Sequence, residues 1–410
     1  MVTNWAGNVS FGAARFHQPD SVAELQRIVA LSSRVRALGT GHSFNLIADT
    51  TGGLISLARL PTIIALDAER ARVTVSADVT YGELASQLHG AGYALANLAS
   101  LPHISVAGAC ATGTHGSGDS TGNLATAVAA IEMVTADGEL VTIERGADDF
   151  AGAVVALGAL GIVVSLSLDI EPTYYVSQHV YEDMRLDQLD EHFDEIFGGG
   201  YSVSLFTTWR DPLISQTWVK QRVTEPGEPL PVWFGAKLAS GSRHPVPGHS
   251  PVHCTQQLGV PGPWHQRLPH FRLDYTPSAG RELQSEFLLP RSAAVPAIQA
   301  IDQISDLVAA VLQISEIRTI AADDLWLSPS YGRDSVGLHF TWIDDMRAVA
   351  PVIALVEEHL APFDPRPHWG KLFATPGRYD RLPDFLRLMQ RYDPAGKFRN
   401  NFINTYLTPA

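Results

Sequence analysis

Two glycine-rich stretches and two short alternating runs hold the residue types that could do chemistry. The first stretch is Leu38-Gly39-Thr40-Gly41-His42-Ser43-Phe44, at the end of the strand-like Val35-Arg36-Ala37-Leu38. A strand that ends in Gly-x-Gly exposes backbone amides suited to a phosphate. A Rossmann fingerprint would need a third glycine at position 44, where Phe44 stands, so a nicotinamide site is not supported. A tight turn with an incidental histidine fits the same letters. The second stretch, Ser100 to Gly118, packs four glycines and three alanines into nineteen residues, with several hydroxyls. Such a loop lets backbone approach a ligand closely and can offer many N–H groups to a pyrophosphate. A flexible surface loop is the plainer reading, but the apolar Ile104, Val106 and Ala107 argue for burial. His42, His103 and His115 match no helical pair of ligands and have no carboxylate nearby in sequence, so no metal is expected.

The alternating runs lie far downstream. In Ile314-Ser315-Glu316-Ile317-Arg318-Thr319-Ile320, period two puts Glu316 and Arg318 on one face. In Leu338-His339-Phe340-Thr341-Trp342, His339 and Thr341 share a face while Leu338, Phe340 and Trp342 take the other. Two strands thus each offer a polar pair backed by an apolar face. A solvated sheet surface is the ordinary alternative.

The elements that must position these residues are legible in part. Ser21-Val22-Ala23-Glu24 and Thr80-Tyr81-Gly82-Glu83 are capping boxes, each opening a helix. Strands are expected at Ile63 to Leu66 and Val73 to Val75. Ile131 to Thr135 and Leu140 to Ile143 flank Asp137-Gly138, a two-residue hairpin signal. Ala151 to Leu168 carries no charge over eighteen residues, near the lower limit for a membrane span. Its three glycines and β-branched second half favour a buried helix and a buried strand meeting at Gly158 to Gly161. After Glu171-Pro172 the composition changes, and residues 222–270, rich in Pro, Gly and His, read as an irregular, partly exposed crossing segment. Strands return at Leu312 to Ile320 and Val336 to Trp342, before a helix around Met346 to His359. Tyr392 to Phe398 is turn chemistry.

The chain has 410 residues, 45% hydrophobic and 18% charged, which suits a globular protein of more than one domain. Its net charge of −14 (29 basic against 43 acidic residues) argues against binding to nucleic acid or anionic membrane. With only Cys110 and Cys254 there is no disulfide framework. The N-terminus lacks the basic and apolar regions of a secretory signal, so a cytoplasmic location is expected.

Gly41-His42-Ser43, the Ser100 to Gly118 loop and the distant His368-Trp369-Gly370-Lys371 resemble the FAD-linked oxidases of the vanillyl-alcohol oxidase (PCMH-type) fold. Within that family the likeness is strongest to the bacterial members that oxidise alditols such as xylitol and sorbitol, with aldonolactone oxidases as cousins. It runs from Asn4-Trp5-Ala6-Gly7-Asn8 to Lys397-Phe398-Arg399-Asn400. The resemblance implies a two-domain α+β flavoprotein: an FAD-binding domain at 1–172, a substrate domain at 173–375 with an antiparallel sheet flanked by helices, and a C-terminal segment, 376–410, returning to the first domain.

The resemblance further implies FAD joined covalently through its 8α carbon to His42. Cofactor contacts would come from Ala37, Leu38, Gly39, Thr40, Gly41 and Ser43, then from Ser100, Ser105, Gly108, Thr112, Gly113, Thr114 and His115, and from Val163. The substrate site would be Ser100, Glu316, Arg318, His339, Thr341 and Lys371, and none of these six departs from the family pattern. Ala99 would lie beside the face of the flavin that meets oxygen. Lys371 and Arg318 are suited to stabilise negative charge on the reduced ring. Glu316, His339 and Thr341 would bind polyol hydroxyls, and either His339 or Glu316 could take the hydroxyl proton. The expected activity is oxidation of a terminal CH2OH to an aldehyde with O2 reduced to H2O2, with small polyols and O2 as partners and no obligate protein partner. A sugar-lactone oxidase or dehydrogenase is the nearest alternative. A non-catalytic sugar-binding protein, from another class, would need neither His42 nor Lys371.

Overall fold

Ser21 and Thr80 start helices, as their side chains predict. The Ser21 hydroxyl accepts the Glu24 N–H at the head of Val22–Leu31. At the head of Tyr81–Gly90 the box closes both ways, because Glu83 also accepts the Thr80 N–H at 2.9 Å. The computed structural model describes residues 2–223, 229–275 and 281–408.

Around these helices stands a five-stranded antiparallel sheet in the order Ile64–Asp67, Arg72–Ser76, Ile162–Asp169, Val128–Val134, Leu140–Glu144. The uncharged stretch from Ala151 holds the end of the four-residue helix Phe150–Ala153 and the strand Ile162–Asp169, but the two do not meet at Gly158 to Gly161, because residues 154–161 form a turn-rich connection between them. Gly161 is required between them, since a Cβ there would lie 2.8 Å from the Val134 carbonyl. Among the described residues no helix is long and apolar enough to cross a membrane. The Asp137-Gly138 hairpin departs from the two-residue expectation. Thr135 and Glu139 still pair through their backbones, so three residues turn the chain, and Thr135 Oγ1 donates to Asp137 Oδ1 inside that turn.

A second antiparallel sheet, ten-stranded among the described residues, has the central order Tyr175–Arg185, Leu213–Val223, Ser202–Thr207, Leu312–Ile320, Ser335–Ile343, Glu282–Pro290. Only two of these six strands were legible in the sequence. One face packs Ile317, Leu338, Phe340 and Trp342 against helices Gln188–Gly198, Ala294–Asp302 and Met346–Leu360. Burying each such side chain contributes ~1.5–3 kcal/mol. The opposite face carries Glu316, Arg318, His339 and Thr341, and it is not the solvated surface that alternation alone allows. All four are 4–8% exposed. The first domain and the crossing segment cover it. That segment is only partly exposed: Val252 and Leu258 face solvent, whereas Trp264 and Gln257 are fully buried. Residues 224–228 of it lie outside the described residues.

The C-terminal residues pack on the first domain. The turn at Tyr392 to Phe398 is flanked by helices Leu382–Tyr392 and Asn401–Tyr406. Phe385, Leu388, Phe402 and Ile403 join the core of Leu84, Val106 and Leu160. Buried Arg36 donates to the carbonyls of Leu157 (2.7 Å) and Phe398 (2.8 Å), tying the two parts of the chain together.

Candidate active site

A cavity of about 480 Å³ lies between the first domain and the second sheet. Both glycine-rich stretches line it. Leu38 N–H pairs with Ile55 and Phe44 N–H with Gly370, pinning the ends of the first loop. Between them, the N–H groups of Gly39 to Ser43 donate to no acceptor among the described residues. Five successive amides at a cavity wall suit a pyrophosphate. The second loop is hung from Thr80 by a bridge to Ser105, and Ser105 N–H donates to Thr40 Oγ1 at 3.2 Å. Ser105 Oγ lies 2.5 Å from where a Cβ would stand at Gly39 and 2.8 Å at Gly108, so a side chain at either position would displace that hydroxyl. These loops therefore fit a dinucleotide cofactor such as FAD. His42 stacks on Trp5, with ring centres 5.2 Å apart, and its Nδ1 lies 3.0 Å from Thr40 Oγ1. Burial, then His103, lowers its pKa to about 4, so the imidazole is neutral near pH 7.

The residues expected from the sequence converge here, with one exception. Ala37, Leu38, Thr40, Gly41, Ser43, Ala99, Ser100, Thr112, Thr114, His115 and Val163 all line the cavity, as do Glu316, Arg318, His339, Thr341 and Lys371. Gly113 does not: its N–H donates to Cys110, and its φ of +64° turns it toward Pro329.

Strand register explains the polar wall. Glu286, His339 and Glu316 stand in one row across three neighbouring strands. Arg318 lies opposite Gly337, whose missing side chain leaves room for Glu286, since a Cβ there would sit 3.2 Å from Glu286 Oε1. The turn bearing Lys371 is held to the first loop by Asn45, which donates to the carbonyls of Trp369 and Lys371.

Glu286 was not legible as a site residue, yet it organises the charges. Its Oε1 accepts from Arg318 Nη2 and its Oε2 from Lys371 Nζ, each at 2.6 Å, and His115 Nε2 lies 3.4 Å away. His115, for which the sequence suggests no carboxylate partner, thus has one beside it in space. Burial pushes the Glu286 pKa up, but Arg318, Lys371 and His115 outweigh it and hold the carboxyl well below its usual range. Glu316 is likewise lowered, burial being overcome by Arg318 and His270. Lys371 is lowered by burial, with Glu286 opposing. Arg318 and Lys371 are thus matched by Glu286 and Glu316, and Glu282 is a further carboxyl lining the cavity, its pKa raised by burial.

His339 is the groove's unmatched base. Gln284 gives its amide N–H to Glu282, so its carbonyl faces His339 Nε2 at 3.2 Å. We assign the proton to Nε2, which leaves Nδ1 as an acceptor without a partner in the structure. Burial, and then Lys371, keeps the ring neutral by lowering its pKa well below the ordinary histidine value.

Comparison with known proteins extends this picture. Residues 13–144 match the family profile described as FAD binding domain, and residues 277–406 match that described as D-arabinono-1,4-lactone oxidase. The chain is 51% identical to an alditol oxidase of Streptomyces over 99% of both chains. It is 29% identical to an L-gulono-1,4-lactone dehydrogenase of Mycobacterium tuberculosis, again over 99% of both. Its fold matches that of a solvent-stable cholesterol oxidase, with a TM-score of 0.79 at 15% identity over 98% of this chain and 96% of the other.

Proposed function

Because the chain belongs to the alditol oxidase family of FAD-binding oxidases, we propose that it oxidises the terminal CH2OH of open-chain polyols such as xylitol and sorbitol to the aldehyde. Bound FAD would supply the two-electron acceptor and pass the electrons to O2, giving H2O2. The single observation that carries the reading is the buried row of Glu286, His339 and Glu316 facing the amide loops across one cavity. A row of fixed donors and acceptors suits a chain of hydroxyls.

The side chains take distinct roles. Glu316, Thr341 and Ser100 bind substrate hydroxyls. His339 takes the proton of the reacting hydroxyl through Nδ1. Glu316 is the less available of the two candidates, because His270 and Arg318 already engage its oxygens whereas His339 Nδ1 has no partner. Arg318 and Lys371 stabilise the negative charge that oxidation develops, and Glu286 fixes both heads in place. His42, a neutral imidazole at the edge of the amide loop, is the proposed point of covalent attachment. The proposed domain limits are 1–172, 173–375 and 376–410, a division supported by the separate sheets and by the packing of the C-terminal helices on the first domain.

The match of residues 277–406 favours a second reading, oxidation of a sugar 1,4-lactone. One experiment separates them. Purified protein is given xylitol, sorbitol or an aldono-1,4-lactone, and oxygen uptake and peroxide are followed. Turnover of the polyols alone supports the first reading, and turnover of the lactone alone overturns it.

A further inference from the structure

Behind the substrate wall lies a second line of buried ionisable groups. Lys220, on Leu213–Val223, is 1% exposed and surrounded by acceptors. Its Nζ meets the Leu268 carbonyl, the Pro269 carbonyl at 3.4 Å and His270 Nδ1 at 3.2 Å. His270 Nε2 in turn lies 2.8 Å from Glu316 Oε1. The His270 backbone N–H donates to the Ser100 carbonyl at 3.1 Å, and its ring is wedged edge-on between Phe206 and Trp218. One residue therefore touches both the loop that carries Ser100 and the carboxylate of Glu316.

An ammonium has three protons and no lone pair, and here it meets three acceptors. Donation from Lys220 to Nδ1 leaves the imidazole proton on Nε2, where it can only point at Glu316. We propose that Lys220 and His270 are positioning residues, Lys220 fixing the Nε2–H tautomer of His270 so that His270 holds the ionised Glu316 in place for a substrate hydroxyl. This rests on the reading of Glu316 as a polyol-binding residue. The groups facing Lys220 are Glu316 and Arg318 from one strand and Cys254 and His270 from the crossing segment. Burial lowers the His270 pKa to about 4, with Lys220 adding to the effect, which keeps the ring neutral. Burial also lowers Lys220 to about 7, so the lock is set below that pH.

The test has a spectroscopic arm and a kinetic arm. Protein labelled with 15N-histidine is observed at about pH 6, where the lysine is charged, and His270 is identified by the signals lost in His270→Gln. The expected result is a neutral Nε2–H ring in the wild type and a loss of that single tautomer in Lys220→Met. An Nδ1–H ring in the wild type, or no change in Lys220→Met, overturns the proposal whether or not alditols are substrates. In the kinetic arm, His270→Leu, which removes the donor to a charged acceptor, should raise KM for xylitol ~10–100-fold with kcat changed far less. His270→Gln keeps an N–H and should recover most of the loss. Wild-type protein that turns over xylitol, paired with a His270→Leu variant of unchanged KM, refutes the proposal alone. Wild-type protein inert to xylitol refutes the substrate reading and leaves the spectroscopic arm to decide the tautomer.

Discussion

Lys371 Nζ donates to Glu286 Oε2 at 2.6 Å, so the lysine that the sequence marks is one half of a buried ion pair. Arg318 takes the other oxygen of the same carboxylate. The one carboxylate thus holds both cation heads rigidly, and Arg318 also faces Glu316 at 3.7 Å. Fixed charge of this kind stabilises developing negative charge without reorganising.

Glu286→Gln keeps the shape and removes the counter-ion. Lys371 then loses its ion-pair partner and Arg318 keeps only the looser contact with Glu316 at 3.7 Å, and a broken buried pair typically costs ~3–5 kcal/mol. Urea unfolding should show that loss. The Glu286 pKa is depressed, so its contribution is complete above the unfolded carboxyl pKa and fades as pH falls below it. The gap between variant and wild type should therefore narrow toward acid pH, and a gap constant with pH would show that the carboxylate's charge is idle.

Lys371→Met leaves Glu286 paired with Arg318, so the fold should survive. Reduction of the bound flavin by saturating alditol should slow by ~10²–10³, the usual loss for one preorganised donor. Anaerobic stopped-flow reads that step directly. A rate near the wild-type value would remove Lys371 from charge stabilisation.

Lys220 gives a pH dependence of the same sign in a more alkaline window. Its pKa falls from 10.5 to about 7 in the folded chain, mainly through burial. Between those values the unfolded chain holds a proton that the folded one lacks, so stability rises with pH across this window. Lys220→Met should abolish that rise, which amounts to at most ~4 kcal/mol between about pH 7 and pH 10. Parallel denaturant titrations at the two pH values would show equal slopes in both proteins if Lys220 titrates normally.

His42→Ala should abolish covalent attachment of the flavin. His42 is the neutral imidazole among the unpaired amides of the first loop. Acid precipitation of the wild type should carry the yellow colour down with the polypeptide, and the variant should release it. Colour that stays with the precipitated variant places the linkage elsewhere.

What the sequence revealed was local. The capping boxes at Ser21 and Thr80 and the faces of Leu312–Ile320 and Ser335–Ile343 depend on residues a few positions apart, and they stand where the pattern puts them. Glu286 lies in Glu282–Pro290, a run whose apolar end hides its alternation, and its meaning comes only from pairing opposite His339. The one signal was a lone acid before Phe287-Leu288-Leu289, a charge no core tolerates without a partner. Lys220 and His270 come from segments 50 residues apart and meet Glu316 only through tertiary packing. No periodicity encodes that meeting.

Oxygen access gives the last test. Ala99 lines the cavity just before Ser100, is 7% exposed, and presents a single methyl group. A small side chain there leaves a path for O2, and a larger one would narrow it. The plainer role is packing, since Ala99 also belongs to the core with Leu98 and Val106. Ala99→Leu separates the two. If Ala99 keeps the path open, reoxidation of the reduced flavin by O2 should slow several-fold, while an artificial dye still accepts electrons and reduction by alditol is unchanged. Overpacking alone typically costs ~1–3 kcal/mol and would lower Tm without that selectivity. A folded, flavin-loaded variant that reoxidises in air as fast as the wild type assigns Ala99 to packing.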